Sequence, residues 1–216
     1  MKSIIDAKGW IDITMSLQNG MVNWPGDPSF KIEKIAAIEN GDEINISKIS
    51  TCTHIGTHVD APLHYFENGN DVSSIPLENL MGAAKIILIE STTEISVDEI
   101  KKHDIIKGDR ILFKTKHSDD DWSLKPFDEK FIALTTDAAE YLKQKEILLV
   151  GIDYLSISAM NNSKKVHQLL LSSGICILEG LNLQNTAAGS YEFICLPLKI
   201  KDAEGAPARV IIRSVF

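Results

Sequence analysis

Cysteine is scarce in this 216-residue chain: Cys52, Cys176 and Cys195 lie far apart, each in an apolar or β-branched run. An odd and dispersed set argues against a disulfide framework and for buried free thiols in a reducing cytoplasm. Positive charge is also short. Lys and Arg number 22 against 30 Asp and Glu, a net charge of −8, and no basic block is longer than a Lys-Lys pair. That balance argues against a nucleic-acid partner and against an anionic membrane surface. No run approaches the roughly 18 apolar residues of a membrane-spanning helix. The start, Met1-Lys2-Ser3-Ile4-Ile5-Asp6, lacks the apolar segment of a signal peptide. Low-complexity tracts, internal repeats and Pro/Gly-rich linkers are missing too, so residues 1–216 read as one domain, with a core large enough to stand without disulfides.

What is present alternates between strand and helix signals. Gly9 to Thr14 and Phe30 to Ile35 alternate apolar and polar residues, and the second reads as a half-buried strand. A turn-rich Asn23-Trp24-Pro25-Gly26-Asp27-Pro28 separates them. An extended stretch runs from Glu43 to Thr53, and Lys85 to Glu90 reads as a buried strand. Ser96 with Glu99 forms a capping-box pattern for a short helix. Further on come a strand at Arg110 to Lys114, a helix over 136–144, a strand at Ile147 to Asp153 and a helix over 163–171 carrying His167. A strand at Ile175 to Gly180 and two closing strands, Phe193 to Ile200 and Ala208 to Val215, complete the pattern. Apolar strands alternating with helices predict an α/β domain with a partly parallel sheet, and the β-rich first half predicts an additional mixed or antiparallel sheet.

The densest chemistry lies in Thr53-His54-Ile55-Gly56-Thr57-His58-Val59-Asp60-Ala61-Pro62-Leu63-His64. Three of the chain's six histidines and an aspartate fall within it. As a helix, His54 and His58 would form an i,i+4 metal-binding pair, but Thr51, Thr53, Thr57, Gly56 and Pro62 argue against helix. As an extended strand, His54, His58, Asp60 and His64 share one parity and one face. Gly56 then marks a bulge or a close backbone approach. Four electron-pair donors on one face are costly unless a cation binds them. Cys52 shares their parity and could stand near a metal.

Glu179 ends an apolar strand, where α/β proteins place their chemistry. Alone it would more often be a hydrogen-bonded carboxylate, and His167 alone a packing residue. Because a helix followed directly by a strand packs beside it, the two could converge at the sheet edge. The donors then number six: His54, His58, Asp60, His64, His167 and Glu179. Six exceed one tetrahedral zinc and suit two metals bridged by carboxylates. His64, beyond the turn at Pro62, is the natural candidate for a residue left over to transfer protons.

The segment His54 to His64 resembles the HxGTHxDxPxH signature of the cyclase superfamily of metal-dependent hydrolases, which includes bacterial kynurenine formamidase and isatin hydrolase. Weaker blocks extend the likeness almost end to end: Trp10-Ile11-Asp12-Ile13, Trp24-Pro25-Gly26-Asp27, Gly151 to Ser156, Glu179-Gly180-Leu181, Leu196-Pro197-Leu198 and Gly205-Ala206-Pro207-Ala208-Arg209. The resemblance implies a swivelling β/β/α fold with a mixed sheet, a homodimer or larger assembly, and a site for two divalent ions, zinc or manganese. It puts His54, His58, Asp60, His167 and Glu179 on the metals, His64 on the proton donor/acceptor and Trp24 on the aromatic position that contacts substrate. The segments His117 to Trp122 and Asp153 to Ile157 depart from the formamidase pattern.

The implied activity is metal-dependent hydrolysis of a small aromatic formamide such as N-formylkynurenine. Two other enzymatic readings use the same metals as Lewis acids: a cyclase or dehydratase acting on another small carbonyl compound, and a hydrolase of lactams or lactones. A non-catalytic metal-binding or sensor protein is the reading from another class, and a full ligand set beside an unligated His64 speaks against it.

Overall fold

The computed structural model describes residues 9–215, so the expectation drawn from Met1 to Asp6 lies outside it. In chain order the elements are β1 (Trp10–Asp12), β2 (Lys31–Ala36), β3 (Ile46–Ser50), β4 (His58–Asp60), α1 (Leu77–Leu80), β5 (Met81–Leu88) and α2 (Val97–Ile100). They continue with β6 (Arg110–Lys114), α3 (Thr136–Gln144), β7 (Leu149–Ile152), α4 (Ser163–Leu171), β8 (Cys176–Glu179), β9 (Gly189–Pro197) and β10 (Gly205–Ser214). Eight strands form one mixed sheet in the order β1-β10-β4-β8-β7-β6-β5-β9, and β9 also pairs with β10, which closes the sheet into a barrel. The neighbours β5, β6, β7 and β8 are parallel, as the buried apolar runs predict. Among the described residues no helix is long and apolar enough to cross a membrane.

The same strands feed two cores because successive side chains alternate faces. Ile111, Phe113, Val150, Ile152 and Ile177 pack with Ile100 of α2, Ala138 and Leu142 of α3, and Val166 and Leu170 of α4. Their neighbours Leu112, Leu149, Cys176 and Leu178 turn the other way, against Phe193, Cys195, Val210 and Ile212. Thr135 caps α3 by accepting from the Ala138 amide. Ser96 caps α2 through the Glu99 amide, but the reciprocal half of the capping box is not made. The Glu99 carboxylate instead accepts from the amides of Glu90 and Ser91.

Three expectations are corrected. The strand over Phe30 to Ile35 is not half-buried: among the described residues β2 pairs only with β3, and this hairpin is exposed on both faces, Ile32 at 41% and Ile49 at 59%. Its alternation is real but finds no third layer to cover it. The extended path from Glu43 into the His cluster breaks after Ser50, and residues 51–57 run as bends and irregular chain. Lastly, β8 lies between β4 and β7, so Glu179 sits inside the sheet and not at its edge.

Candidate metal centre

Register builds the floor of the site. Strands β4 and β8 run antiparallel with His58 opposite Glu179, Val59 opposite Leu178 and Asp60 opposite Ile177. Val59 and Leu178 go into the barrel core. His58, Asp60 and Glu179 therefore share the helix-side face, where α4 delivers His167. His58 Nε2 stands 3.5 Å from Asp60 Oδ1 and 3.3 Å from Glu179 Oε2. His167 Nε2 stands 3.5 Å from Asp60 Oδ2 and 3.3 Å from Glu179 Oε1. Each carboxylate thus spans both imidazoles.

His54 and His64 do not lie on a common strand with these residues, which corrects the one-face expectation. His54 is in the bend before β4, and Pro62–His64 is a turn of 3₁₀ helix. Both still reach the site. His54 Nδ1 lies 2.8 Å from Asp60 Oδ1, and the His64 ring packs against His54, tilted, with centroids 4.0 Å apart. The bend is made possible where two backbones cross: a Cβ on Gly180 would fall 2.0 Å from the Gly56 carbonyl oxygen, and Gly180 has φ +71°. Thr57 locks the crossing, its hydroxyl donating to the Gly180 carbonyl at 2.5 Å and accepting from the Met15 amide at 2.7 Å.

The other ring nitrogens of His58 and His167 are tied down. His58 Nδ1 meets the Gly56 carbonyl at 3.0 Å, and His167 Nδ1 meets the Ser163 carbonyl at 2.9 Å. Glu179 Oε1 accepts from the Ile157 amide at 2.6 Å and the Ser156 hydroxyl at 3.2 Å. Burial opposes a charged His58, yet the Glu179 and Asp60 carboxylates outweigh it and hold this imidazole up at about 9. Burial likewise works against ionised Asp60, but His54 and His58 keep it well below the usual carboxylate range. For His64 burial prevails and lowers the pKa, so a neutral ring faces the cavity near pH 7.

The donor chemistry fits divalent cations. Two groups of donors form, His54 with His58 and Asp60, and Asp60 with His167 and Glu179, the donor atoms in each within 4.8 Å of one another. His54 Nε2, His58 Nε2 and Asp60 Oδ2 are buried without a hydrogen-bond partner among the described residues. Buried polar atoms left in this way call for a missing partner.

Above this floor opens a cavity of about 570 Å³, within the range of small-molecule sites. Trp24 lines it, edge-on to Phe127 and Phe131 at centroid distances of 5.4 and 6.2 Å. The turn that carries Trp24 is closed by the Asp27 amide donating to the Trp24 carbonyl at 3.1 Å.

The Cyclase family model matches residues 11–159. The chain belongs to the cyclase family. Kynurenine formamidase of Bacillus cereus is 33% identical over 207 residues, 95% of this chain and 98% of that protein. A solved potential metal-dependent hydrolase with cyclase activity is 36% identical, with a TM-score of 0.83, 94% of this chain and 96% of that one covered. Isatin hydrolase A of Labrenzia aggregata, bound to benzyl benzoate, shares the fold at TM-score 0.82 and 24% identity, covering 96% and 94% of the two chains.

Within this cyclase-family site, sequence reasoning missed Glu204, Tyr65 and Ser163, all lining the cavity. Tyr65 stacks on His167 and shares a hydrogen bond with Ser163 at 3.0 Å. Glu204 immediately precedes the Gly-Ala-Pro block at the start of β10, and only the pairing of Gly205 with Asp60 reveals how near it stands. The thiols are free as expected: Cys176 and Cys195 are buried, while Cys52 is partly exposed and lines the cavity. Asp153, the residue after β7, is spent on structure, accepting from the Thr115 amide and hydroxyl.

Proposed function

We propose that this protein is a metal-dependent amidohydrolase that cleaves small aromatic formamides, N-formylkynurenine being the type of substrate meant. The observation that carries the reading is the pair of donor groups sharing Asp60, with Glu179 spanning both imidazoles, beneath a cavity walled by Trp24. His54, His58 and Asp60 would hold one divalent ion; Asp60, His167 and Glu179 would hold a second, with zinc or manganese as the metal. Ions held there would supply a water whose pKa is lowered from 15.7 to roughly 7, and would polarise a carbonyl. His64, neutral and facing the cavity, takes a proton from the attacking water. The water oxygen joins the formyl carbon, the carbon–nitrogen bond breaks, and His64 returns the proton to the departing amine. Products are formate and the free aryl amine. Trp24 stacks on the aromatic ring and orients the formyl group toward the floor.

What supports the formamide reading over a generic hydrolase is the end-to-end likeness to kynurenine formamidase. The exposed isoleucines of the β2–β3 hairpin support a homodimer or larger assembly, and the free thiols support a cytoplasmic setting. Hydrolysis of aryl formamides, of isatin-like lactams and of lactones should be followed with stripped and zinc- or manganese-reloaded protein. Metal-dependent turnover of the formamides is expected; turnover of lactams or lactones alone would overturn the substrate assignment, and no turnover of any would overturn the enzyme.

A further inference from the structure

The carboxylates of the cavity are used in two ways. Glu179 is spent on the floor: it accepts from the Ile157 amide and the Ser156 hydroxyl and faces His58 and His167. Two carboxylates on the wall are not spent. Asp27 is held by its backbone, its amide donating to the Trp24 carbonyl at 3.1 Å and its carbonyl accepting from the Asn23 side chain at 2.9 Å, which leaves the carboxylate to the cavity. Glu204 is steered by the Thr53 hydroxyl, which donates to Oε1 at 2.5 Å, and its other oxygen is left to the cavity. Its side chain is 41% exposed. No lysine or arginine is among the described residues that line this space. That the space takes a ligand is indicated independently by His58, whose side chain is 2% exposed and whose Nε2 has no hydrogen-bond partner among the described residues.

We propose that Asp27 and Glu204 set the charge of the substrate: the cavity takes aryl formamides whose ring carries an ammonium-bearing side chain and rejects those whose side chain is a carboxylate. The inference rests on the formamide reading above and concerns the part of the substrate remote from the formyl group. Asp27 lies three residues after Trp24 in one turn. The ring on which an aromatic substrate stacks and the charge that meets its substituent therefore come on the same piece of chain. A cleft lined by one sign of charge draws in ligands of the other sign, and a like charge entering it finds no counter-ion. Both carboxylates are partly exposed, so each pairing is of the modest kind, worth about a few-fold in affinity. The selectivity is the sum of two small contributions.

The test compares zinc-loaded wild type with Asp27→Asn, Glu204→Gln and the double variant, all of which keep side-chain shape. Three formanilides carry an aminomethyl, a hydroxymethyl or a carboxylate group at the same ring position. Wild type is expected to favour the aminomethyl compound over the hydroxymethyl one by about tenfold in kcat/KM, carried by KM, and to disfavour the carboxylate by a similar factor. Each single variant should cut the aminomethyl preference to about threefold, and the double variant should abolish it. Salt at about 1 M, where the Debye length is roughly 3 Å, should do the same to wild type. A merely structural role would lower all three substrates alike and leave their ratios unchanged, which would overturn the proposal. A wild type with no preference, or with one for the carboxylate, would overturn it too. So would loss of zinc from Glu204→Gln as large as that from His58→Ala, since Glu204 would then belong to the floor. Calorimetric binding of benzyltrimethylammonium, a cation that cannot ligate a metal, needs neither turnover nor a variant. It should bind wild type more tightly than benzyl alcohol does and weaken in about 1 M salt. If no formanilide is hydrolysed, the formamide reading fails and this binding still decides: salt-sensitive binding of the cation sustains the charge assignment, and absent or salt-insensitive binding overturns it.

Discussion

On the cavity floor, His58, Asp60, His167 and Glu179 have side chains at most 5% exposed, and each is tied to backbone or to its neighbours. On the wall, Trp24 is partly exposed, rides on a turn and meets Phe127 and Phe131 through ring edges. The floor is set by strand register and charge, so its members stand or fall together. The wall is set by one turn and apolar contact, so it can change without disturbing the floor. The floor is thus the rigid part of the cavity and the wall its replaceable part.

The sharpest break in that comparison is His58→Ala. It removes a donor that both carboxylates face, so metal analysis after reloading should fall below the wild-type ratio and aryl formamide turnover should drop to background. Retention of two ions per chain would show that the floor is not one unit. Next comes His64→Ala, which should keep both ions and lose about 10²–10⁴ in kcat. If it sheds metal as readily as His58→Ala, His64 belongs to the floor as a ligand and the proton transfer lies elsewhere.

On the wall, Trp24→Ala should lower kcat/KM for an aryl formamide by several-fold, in keeping with the roughly 0.5–1.5 kcal/mol of an aromatic contact beyond its area. A small aliphatic formamide should be nearly unaffected. Equal losses on both would make Trp24 a support of the fold and erase the contrast.

The smallest effect is thermal and concerns the floor without metal. His58 is held at about 9 in the folded chain, against an ordinary value near 6.5 when unfolded. Its contribution is therefore complete below about pH 6.5 and is lost as pH rises through about 9. Asp60 and Glu179 are shifted down, so theirs is present above the ordinary carboxylate range and is lost as pH falls. The Tm of stripped protein should peak between these limits and decline by a few degrees toward pH 9. Zinc should cancel that alkaline decline, because a ligating His58 needs no proton. A flat alkaline arm in stripped protein would mean that His58 is not charged in the folded chain.

Much of this is legible in the sequence. A cluster such as His54 to His64 has few structural uses, and β8 ending in Glu179 is an apolar run with a carboxylate where a core strand should stop. Helices over 136–144 and 163–171 were plain from their spacing and, for the first, its cap. The exposed hairpin was not, because alternation in β2 reports two faces without saying whether anything covers either of them. Glu204 was not, because it lies 140 residues or more from His54 and His58 in the chain, and no local pattern links it to them.

The sequence by itself determined the types of donor side chain gathered between His54 and His64 and the cyclase-family signature they carry. Local side-chain spacing suffices for that, since an i,i+2 pair such as His58 and Asp60 faces one way in any strand. Only the tertiary structure decided which donors meet. The antiparallel register of β4 on β8 set His58 opposite Glu179, the crossing at Gly180 bent His54 back over Asp60, and α4 brought His167 down onto both carboxylates. These are contacts between segments far apart in the chain, and their geometry follows from how the sheet closes and packs, which no single stretch of residues encodes.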